Sequence, residues 1–386
     1  DLFQMSRDAV CVIWDGTYRI MGKSMNFEAQ RKLFSVQKKL PLYKIMAGVC
    51  PDGYIAFALG PYDAIHNDAT ILRECFNDDK YRDTLCTLEE GDTFLADRGF
   101  RDVVEYFEVE KGIQVRTPAM KMEGKQLSTL DANLSRMVTK VRWVVEQAFG
   151  RLKNIFKYFA VPAHNGALKH DYELAQLGFA LLNMFHVPIL SDLTEPDISE
   201  LMNSRLQTPN LLSKVVSGEK LNGKRVMFKQ LDDNTHEIQQ TFPQLDMDDL
   251  YRLCCGSYQL KNSISYFAQH KSFHAGVFQV SILDPPPGKR RFEIDYAKYG
   301  IDVDDPVLIK CQIDSRFKSG QSHYIYILID RQRTGRDSIV EYCCGCESGL
   351  RTVGCCSHVM TVIWYLSYGH RNPIKIPNPD LSTFST

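Results

Sequence analysis

The densest group of residues capable of chemistry is a cysteine cluster near the end of the sequence. In the string YCCGCESGLRTVGCCSHVM, Cys344 and Cys346 form a Cys-x-Cys pair, and Cys356 and His358 form a Cys-x-His pair after nine intervening residues. Two close pairs of soft ligands joined by a short loop suit tetrahedral Zn²⁺, which prefers thiolate and imidazole. The pattern therefore predicts a structural zinc site with these four ligands. Two neighbouring thiols could substitute for them: Cys343 and Cys355.

Three carboxylates that stand far apart in the sequence form a second candidate site. Asp15 and Asp97 each follow a short apolar run, and Glu146 lies within a long helical pattern. Phosphodiester cleavage with two Mg²⁺ ions roughly 4 Å apart needs such side chains, aimed at one point from strand and helix ends. The three converge if the two strands are neighbours and the helix packs against them. The chain has 47 acidic residues, so spacing alone does not single out this set.

Asp68 and Asp92 are the competing acidic residues. Asn67 or Asp68 suits the N-cap of a short helix, and for Asp68 we favour this role over metal binding. Asp92 precedes a strand and is expected in a turn. Arg98, which follows Asp97, is expected either to reach a phosphate or to pair with a neighbouring carboxylate.

Basic residues are concentrated in one segment, although the formal net charge of the whole chain is only −1. Residues 112–160 contain nine basic and three acidic residues. Such a local surface can bind nucleic-acid phosphates, and the alternative is a solvated helix face. Trp143 is expected in the core rather than as a base-stacking surface. Four residues that flank Glu146 are the candidates for contacts with the DNA backbone: Arg142, Arg151, Lys153 and Lys157.

Short apolar runs separated by turn signals predict an α/β first half. Residues 10–14 form a β-rich run that ends at a turn, Asp15-Gly16, and the next two runs form a hairpin around Pro51-Asp52-Gly53. On a long helix, Glu146, Lys153 and Lys157 share one face, and an apolar stripe at spacings of three and four forms another. The elements predicted after residue 14 are strands 43–50, 54–59, 93–96 and 113–116, and helices 68–76, 102–107 and 128–159.

The second half has a different pattern. Residues 191–248 have weak apolar periodicity and are rich in Asn, Asp, Ser and Pro, which predicts a connector. Strands are predicted over 277–283, 307–313, 324–328 and 339–342, with a closing helix over 359–366. We therefore predict three parts: an α/β domain over residues 1–190, the connector, and a smaller α+β zinc-stabilised domain over residues 249–386.

Composition sets the broad class. A chain of 386 residues with 44% hydrophobic and 24% charged residues is typical of a soluble protein of two domains. The sequence has no stretch of eighteen uninterrupted apolar residues, so no membrane partner is expected. Seven cysteines are scattered outside the cluster, as in a reduced intracellular protein. The first residue is Asp1 rather than Met, so we expect a fragment, from which an upstream DNA-binding module could be missing.

The strings around the three carboxylates resemble a known family. Asp15 stands in VIWDGTY, Asp97 in FLADRGFRD and Glu146 in VRWVVEQAFGRLKNIFKYF. Together with NFEAQRKLFS, GVCPDGYI and HNDATIL, they resemble the DDE-type endonucleases of the Harbinger transposase family, in the right order over residues 8–160. The resemblance implies a ribonuclease H-like fold, a mixed sheet flanked by helices. It also implies three acids that bind Mg²⁺ or Mn²⁺ for DNA cleavage and strand transfer, at Asp15, Asp97 and Glu146.

The resemblance extends to partners and to the cysteine cluster. Its implied partners are DNA, as transposon ends and target, an accessory DNA-binding protein and further copies of the chain, and its implied location is the nucleus. Residues 340–368 resemble a SWIM-type zinc finger, a module associated with DNA or protein interaction. Three functions therefore stay open: a metal-dependent endonuclease or transposase, a host-adapted non-catalytic DNA-binding protein that kept the fold, and a zinc-stabilised interaction module. The presence of all three carboxylates favours the first.

Overall fold

Two β-sheets, one in each of two units, organise the protein. The computed structural model describes residues 2–122, 126–185, 187–189, 196–231, 242–272, 278–284, 292–315, 318 and 320–372. One unit consists of Asp1–Met120 and Leu134–Thr194, and the other of Lys121–Asn133 and Glu195–Thr386. Within the described ranges, no helix has the combination of length and apolar character needed to cross a bilayer.

The first unit contains a mixed sheet of six strands. The strands are β1 Cys11–Ile20, β2 Phe34–Ser35, β3 Leu40–Val49, β4 Ile55–Asp63, β5 Thr93–Leu95 and β6 Gln114–Arg116. Antiparallel pairs join β1 to β3, and β3 to both β2 and β4, whereas the pairs β1–β5 and β5–β6 are parallel. The helices are α1 Phe27–Leu33, α2 Asp68–Asn77, α3 Arg82–Leu85, α4 Thr129–Ile155 and α5 Leu168–Met184. The prediction of a mixed α/β fold is confirmed.

Two local predictions in this unit are wrong. β1 does not end at Asp15-Gly16 but continues to Ile20, and Asp15 lies inside the strand opposite Ala47 of β3. Pairing along β3 supplies a partner for each residue, and this tertiary context outweighs the local turn signal. The helix predicted over residues 102–107 is replaced by a 3₁₀ helix, Arg98–Val103, and a π-helical turn, Tyr106–Glu110.

The two faces of β1 are covered differently. Successive residues of a strand point to opposite faces, so Val12, Trp14 and Gly16 share what we call the even face, and Ile13, Asp15, Thr17 and Arg19 share the odd face. The even face packs in an apolar core in which the Trp14 ring stacks on Phe57 at 5.4 Å. On the odd face, Arg19 donates to the Asp171 carboxylate of α5 at 3.0 Å, and both side chains are buried. This ion pair anchors α5 to the face that carries Asp15.

The second unit contains an antiparallel sheet in which neighbours in sequence are neighbours in space. Its strands are β7 Phe228–Gln230, β8 Phe278–Leu283, β9 Pro306–Asp314, β10 Ser322–Asp330 and β11 Ile339–Cys344. Its helices are α6 Pro196–Arg205, α7 Leu211–Gly218, α8 Met247–Cys254, α9 Ser257–Ser272 and α10 Ser357–Trp364. One apolar core contains side chains of α8, α9 and α10, and another contains those of α7.

The segment predicted as a connector is partly folded into the second unit. It contains α6, α7 and β7, while residues 191–195 and 232–241 of it lie outside the described residues. Leu212, Val215 and Val216 are buried at spacings of three and four, so α7 presents an apolar stripe to the core. The stripe is too short to stand out among the surrounding polar residues, which is why the sequence favoured a connector here.

Candidate metal centres

β1 and β5 bring Asp15 and Asp97 to the same level of the sheet. Ile13 pairs with Leu95 in parallel register, and each aspartate stands two residues further along its strand direction. The backbone of Asp97 is still extended. Residues two apart share a face, and neighbouring strands lie about 4.8 Å apart. The two carboxylates therefore stand side by side on the odd face.

The ionisation of Asp15 is affected by its neighbours. Burial raises the pKa of Asp15 to about 6; the Arg142 guanidinium opposes the rise, and the carboxylates of Asp97 and Asp68 add to it. Burial and like charges both disfavour the ionised form of a carboxylate. The single guanidinium of Arg142 does not compensate for them, so a bound cation would stabilise the ionised Asp15.

Asp97 is held by the turn that follows it. Its Oδ1 accepts a hydrogen bond from the Gly99 N–H at 2.8 Å and so caps the 3₁₀ helix that begins at Arg98. A Cβ at Gly99 would lie 2.9 Å from that oxygen, which explains the glycine. One Asp97 oxygen is thus bound by the backbone.

Glu146 is connected to the aspartates through an arginine. Arg142, one helical turn earlier on α4, donates to Glu146 Oε1 at 2.7 Å and to Asp15 Oδ2 at 3.4 Å. The Glu146 side chain is 61% exposed, whereas that of Asp15 is 20% exposed. Among the described residues, the group whose ligand atoms all lie within 4.8 Å of one another is the cysteine–histidine cluster, not these carboxylates. The guanidinium therefore stands where positive charge is needed between two of the three acids.

Asp68 has a different role from the N-cap that the sequence favoured. Asn67 caps α2 by accepting from the Thr70 N–H at 2.6 Å, and Asp68 is the first helical residue. Its carboxylate lies against Gly16, where a Cβ would come within 2.8 Å of it, and Lys44 donates to it at 2.9 Å. Gly16 belongs to the even face of β1, so Asp68 approaches the strand from the side opposite Asp15.

The residues expected to contact DNA lie on the outer surface of the first unit. Arg98 is exposed, Arg151 donates to the Val187 carbonyl at 2.6 Å, and Lys157 is exposed just beyond α4. The Lys153 ammonium lies 5.0 Å from the centroid of the Tyr18 ring.

Trp143 is 39% exposed, so its assignment to the core is wrong. At 100° per residue it lies almost opposite the stripe that contains Val141, Val145 and Ala148, on the face that carries Glu146. That helical geometry, rather than ring size, decides its exposure. Its ring N–H donates to the Lys140 carbonyl at 3.0 Å.

The cysteine–histidine cluster is formed where β11 and α10 meet. Cys344 ends β11, Cys346 follows it, and Cys356 is the N-cap of α10, in which His358 is the second residue. One ligand atom from each of these four residues lies within 4.8 Å of the other three, and the three cysteines are buried. Three sulfurs and one ring nitrogen at this spacing match the donor set of a structural zinc site.

The two spare thiols are not part of this group. Cys343 precedes Cys344 on β11 and so points to the opposite face, where it belongs to the core that contains Tyr326. Cys355 lies in the core next to the Met360 sulfur at 3.8 Å. The alternation of side chains along β11 thus selects Cys344 over Cys343 as a ligand, a choice that the sequence left open.

The hydrogen bonds around His358 leave one ring nitrogen facing the thiols. The Tyr266 hydroxyl donates to the Asp314 carbonyl at 2.6 Å, so its oxygen is left to accept from His358 Nε2 at 3.0 Å. That bond assigns the proton to Nε2. Nδ1, which lies 3.8 Å from Cys344 Sγ, therefore keeps its lone pair, as a metal ligand requires.

The thiols of the cluster are unequal. Burial opposes ionisation of Cys356, but hydrogen bonds from the Cys344 and Cys346 thiols, together with the nearby His358 ring, outweigh it and hold its pKa well below the usual value. Burial raises the pKa of Cys344. The Val359 N–H also points at Cys356 Sγ at 3.5 Å. The protein thus already stabilises Cys356 as a thiolate, which is the form that binds a cation.

Three features of these sites were missed in the sequence. Arg142 stands four residues before Glu146, a helical ion-pair spacing that could have been recognised. The contact of Asp68 with Gly16 and the Tyr266–His358 bond join residues far apart in the chain, and no sequence signal marks either.

Comparison with known proteins finds a family model that matches part of the chain. Residues 14–183 match a family model described as DDE superfamily endonuclease, and this range includes Asp15, Asp97 and Glu146. The match supports a nuclease of the DDE type, for which DNA is the substrate. It ends before the second unit's cysteines. No curated protein and no solved structure matches the chain.

Proposed function

We propose that this protein is a metal-dependent DNA endonuclease of the transposase type, related to the Harbinger family and with a ribonuclease H-like first unit. Asp15, Asp97 and Glu146 are its catalytic carboxylates and hold Mg²⁺ or Mn²⁺. The observation that carries the proposal is the parallel register of β1 and β5, which puts Asp15 and Asp97 side by side, with Glu146 linked to Asp15 through Arg142. The family match over residues 14–183 supports it.

The donor set fits hard divalent cations. Carboxylate oxygens are the ligands that Mg²⁺ prefers, and a partly exposed site leaves room for its waters. When bound, a pair of such ions activates the attacking oxygen and stabilises the leaving oxygen. Asp15 and Asp97 contribute ligands from a rigid sheet, while the exposed Glu146 is free to turn once Arg142 is released from it. Arg142 is then available for a DNA phosphate.

The second unit has a structural role in this proposal. Cys344, Cys346, Cys356 and His358 hold Zn²⁺ in a SWIM-type finger, and the metal stabilises the junction of β11 with α10. Because the chain supplies all four donors, the ion would take no part in cleavage. The further partners that we propose from the resemblance are transposon-end and target DNA, an accessory DNA-binding protein and other copies of the chain, with the nucleus as location.

A nicking assay on supercoiled DNA with Mg²⁺ or Mn²⁺ tests the proposal. Asp97→Asn keeps the size of the side chain but removes a ligand charge, and we expect cleavage to fall at least about 1,000-fold, in the range seen when a main electrostatic group is removed. Asp102→Asn is the matched control, since Asp102 is an exposed aspartate that pairs with Arg101 beyond the site. Equal cleavage by Asp97→Asn and wild type contradicts the assignment.

A second candidate is a DNA-binding protein that has lost cleavage. The ion pairs of Arg142 with both Asp15 and Glu146 favour it, since this guanidinium already supplies positive charge to two of the three acids. The candidate predicts DNA binding without Mn²⁺-dependent nicking and without Mn²⁺ binding. The third function, a zinc-stabilised interaction module, predicts neither DNA binding nor nicking.

A further inference from the structure

Two lysines from distant parts of the first unit meet at one aromatic ring. The Lys38 ammonium lies 5.1 Å from the centroid of the Tyr18 ring, and the Lys153 ammonium lies 5.0 Å from the same centroid. Lys38 belongs to the turn between β2 and β3, and Lys153 to the last turn of α4. Each contact is a cation–π interaction, so a single ring has two like charges beside it.

The part of the chain that the structure describes provides no counter-ion for this pair. Among the described residues, neither ammonium forms an ion pair with a carboxylate, whereas the nearby Lys32 pairs with Glu28 at 3.3 Å. Two neighbouring cations without an anion repel one another, and a bound anion removes that cost. The arrangement therefore favours a ligand with negative charge.

The surface around Lys38 combines basic and apolar side chains. Residues 23–40 contain five basic residues and one acidic residue. Between them, Met25, Phe27 and Val36 are 98%, 77% and 81% exposed. A nucleic-acid strand has phosphates, which bind basic side chains, and sugars and bases, which pack on apolar side chains. This surface provides both kinds of side chain.

The position of Lys153 relates this surface to the acidic site. Lys153 follows Glu146 by seven residues on the same face of α4, which is about 10 Å along the helix axis. Phosphates of one DNA strand are spaced by about 3.4 Å along the duplex axis. A strand that passes Glu146 and runs along α4 would thus present a phosphate to Lys153 about three nucleotides away.

We propose that Lys38, Tyr18 and Lys153 form a phosphate grip, which holds the backbone of the DNA substrate about three nucleotides from the acidic site. Each lysine contacts one phosphate of that backbone, and Tyr18 is a positioning residue that holds both ammonium groups beside its ring. The grip rests on the proposed function, since it takes that function's DNA as ligand. The grip adds two parts to the acidic site: the turn between β2 and β3, which carries Lys38, and the aromatic ring of Tyr18.

Fluorescence anisotropy of a labelled duplex, in EDTA so that no cleavage occurs, tests the grip over a series of salt concentrations. Each lost phosphate contact lowers the slope of log affinity against log salt by about 0.9. We expect Lys38→Gln with Lys153→Gln to lower it by about two and each single change by about one. Lys111→Gln is the matched control, because Lys111 is an exposed lysine that also lies over a tyrosine ring, that of Tyr106, at 5.8 Å; the second cation at that ring is Arg73, at 5.0 Å.

Substitutions of Tyr18 separate a positioning role from general loss of charge. Tyr18→Phe keeps the ring and is expected to bind DNA as wild type does, whereas Tyr18→Leu leaves both charges but is expected to lower the affinity. An unchanged slope in the double lysine variant, or an equal loss in Lys111→Gln, overturns the grip. The nicking assay is independent: a failure of cleavage leaves these binding differences intact, and a failure of the grip leaves the Asp97→Asn effect intact.

Discussion

The two candidate metal centres differ in how completely the chain builds them. The thiol–imidazole site has four donors within 4.8 Å, taken from fifteen consecutive positions, Cys344 to His358. The carboxylate site takes its donors from a strand, the end of another strand and a helix, and one donor, Glu146, is largely exposed. The first is closed and fits a structural ion, and the second stays open, as a site that admits water and substrate must.

The two sites also balance their charge in opposite ways. In the thiol site, hydrogen bonds within the group lower the pKa of Cys356 despite its burial. In the carboxylate site, burial and neighbouring acids raise the pKa of Asp15, and only Arg142 opposes them. The thiol site, which would hold its ion permanently, thus supplies contacts that stabilise a charged ligand. The carboxylate site, which would bind ions for catalysis, leaves negative charge that those ions would neutralise.

Loss of zinc should have the largest effect of these changes, on the stability of the second unit. If it does not, the contrast between a closed structural site and an open carboxylate site is wrong. Structural Zn²⁺ contributes on the order of 10 kcal/mol in small zinc domains. We therefore expect Cys356→Ser, or a strong chelator, to abolish zinc binding and lower the melting temperature of the second unit by roughly 10 °C or more. Metal analysis and calorimetry measure both. Cys343→Ser, which changes a buried thiol outside the group, should keep its zinc; stoichiometric zinc in Cys356→Ser would contradict the site.

Asp15→Asn should stabilise the protein when no metal is present. The pKa of Asp15 is raised to about 6 in the folded protein, against about 3.9 for an unfolded aspartate. The folded state therefore binds the proton more tightly, and its free energy of unfolding falls as pH rises from about 4 to about 6, then stays low. In EDTA at pH 7.5 we expect the variant to be about 3 kcal/mol more stable than wild type, with no difference near pH 4.

Urea unfolding at the two pH values measures this difference, and Asp102→Asn serves as control because its carboxylate is exposed. A variant less stable than wild type at pH 7.5 would mean that the acidic site is not short of positive charge. The contrast with the thiol site would then be lost.

Tyr266→Phe should weaken zinc binding without unfolding the second unit. The change removes the hydroxyl that accepts from His358 Nε2, so the ring is no longer fixed with Nδ1 toward the thiols. Loss of such a partner typically costs at least tenfold in metal affinity. Competition with a chromophoric chelator measures the affinity. Tyr299→Phe, whose hydroxyl contacts Glu219 instead, is the control; equal affinities in the two variants would assign Tyr266 to packing alone.

Arg142→Gln should have the smallest effect, a change in the Mn²⁺ affinity of the carboxylate site. It tests whether the arginine competes with the metal ion. The guanidinium competes with a divalent cation for Asp15 and Glu146, and a partly exposed ion pair is worth up to about 1 kcal/mol. We expect Mn²⁺ to bind the variant a few-fold more tightly, as measured by calorimetry at pH 7.5. Arg101→Gln, which loses an ion pair with Asp102 only, should match wild type. Weaker Mn²⁺ binding by Arg142→Gln would show that the arginine supports the site rather than filling it.

Much of the first unit could be read from local sequence because its elements have clear signals. The strand before Asp97, the cap at Asn67 and the apolar stripe of α4 all follow from residues within a few positions of one another. The continuation of β1 through Gly16 and the exposure of Trp143 were misjudged. In each case a distant partner strand or the angular position on a helix outweighed the residue's own preference.

The sequence by itself determined that thiols and an imidazole would meet near residues 344–358, because two short ligand pairs on one strand–helix connection must come together when that connection folds. Only the tertiary structure decided that Cys344 rather than Cys343 faces the site, since strand alternation depends on which face of β11 meets α10. It likewise decided that Asp15 stands beside Asp97 and that Arg142 stands between Asp15 and Glu146. The strand register joins Asp15 to Asp97, 82 positions further along the chain, and helix docking joins Asp15 to Arg142, 127 positions away. No local pattern encodes such distances.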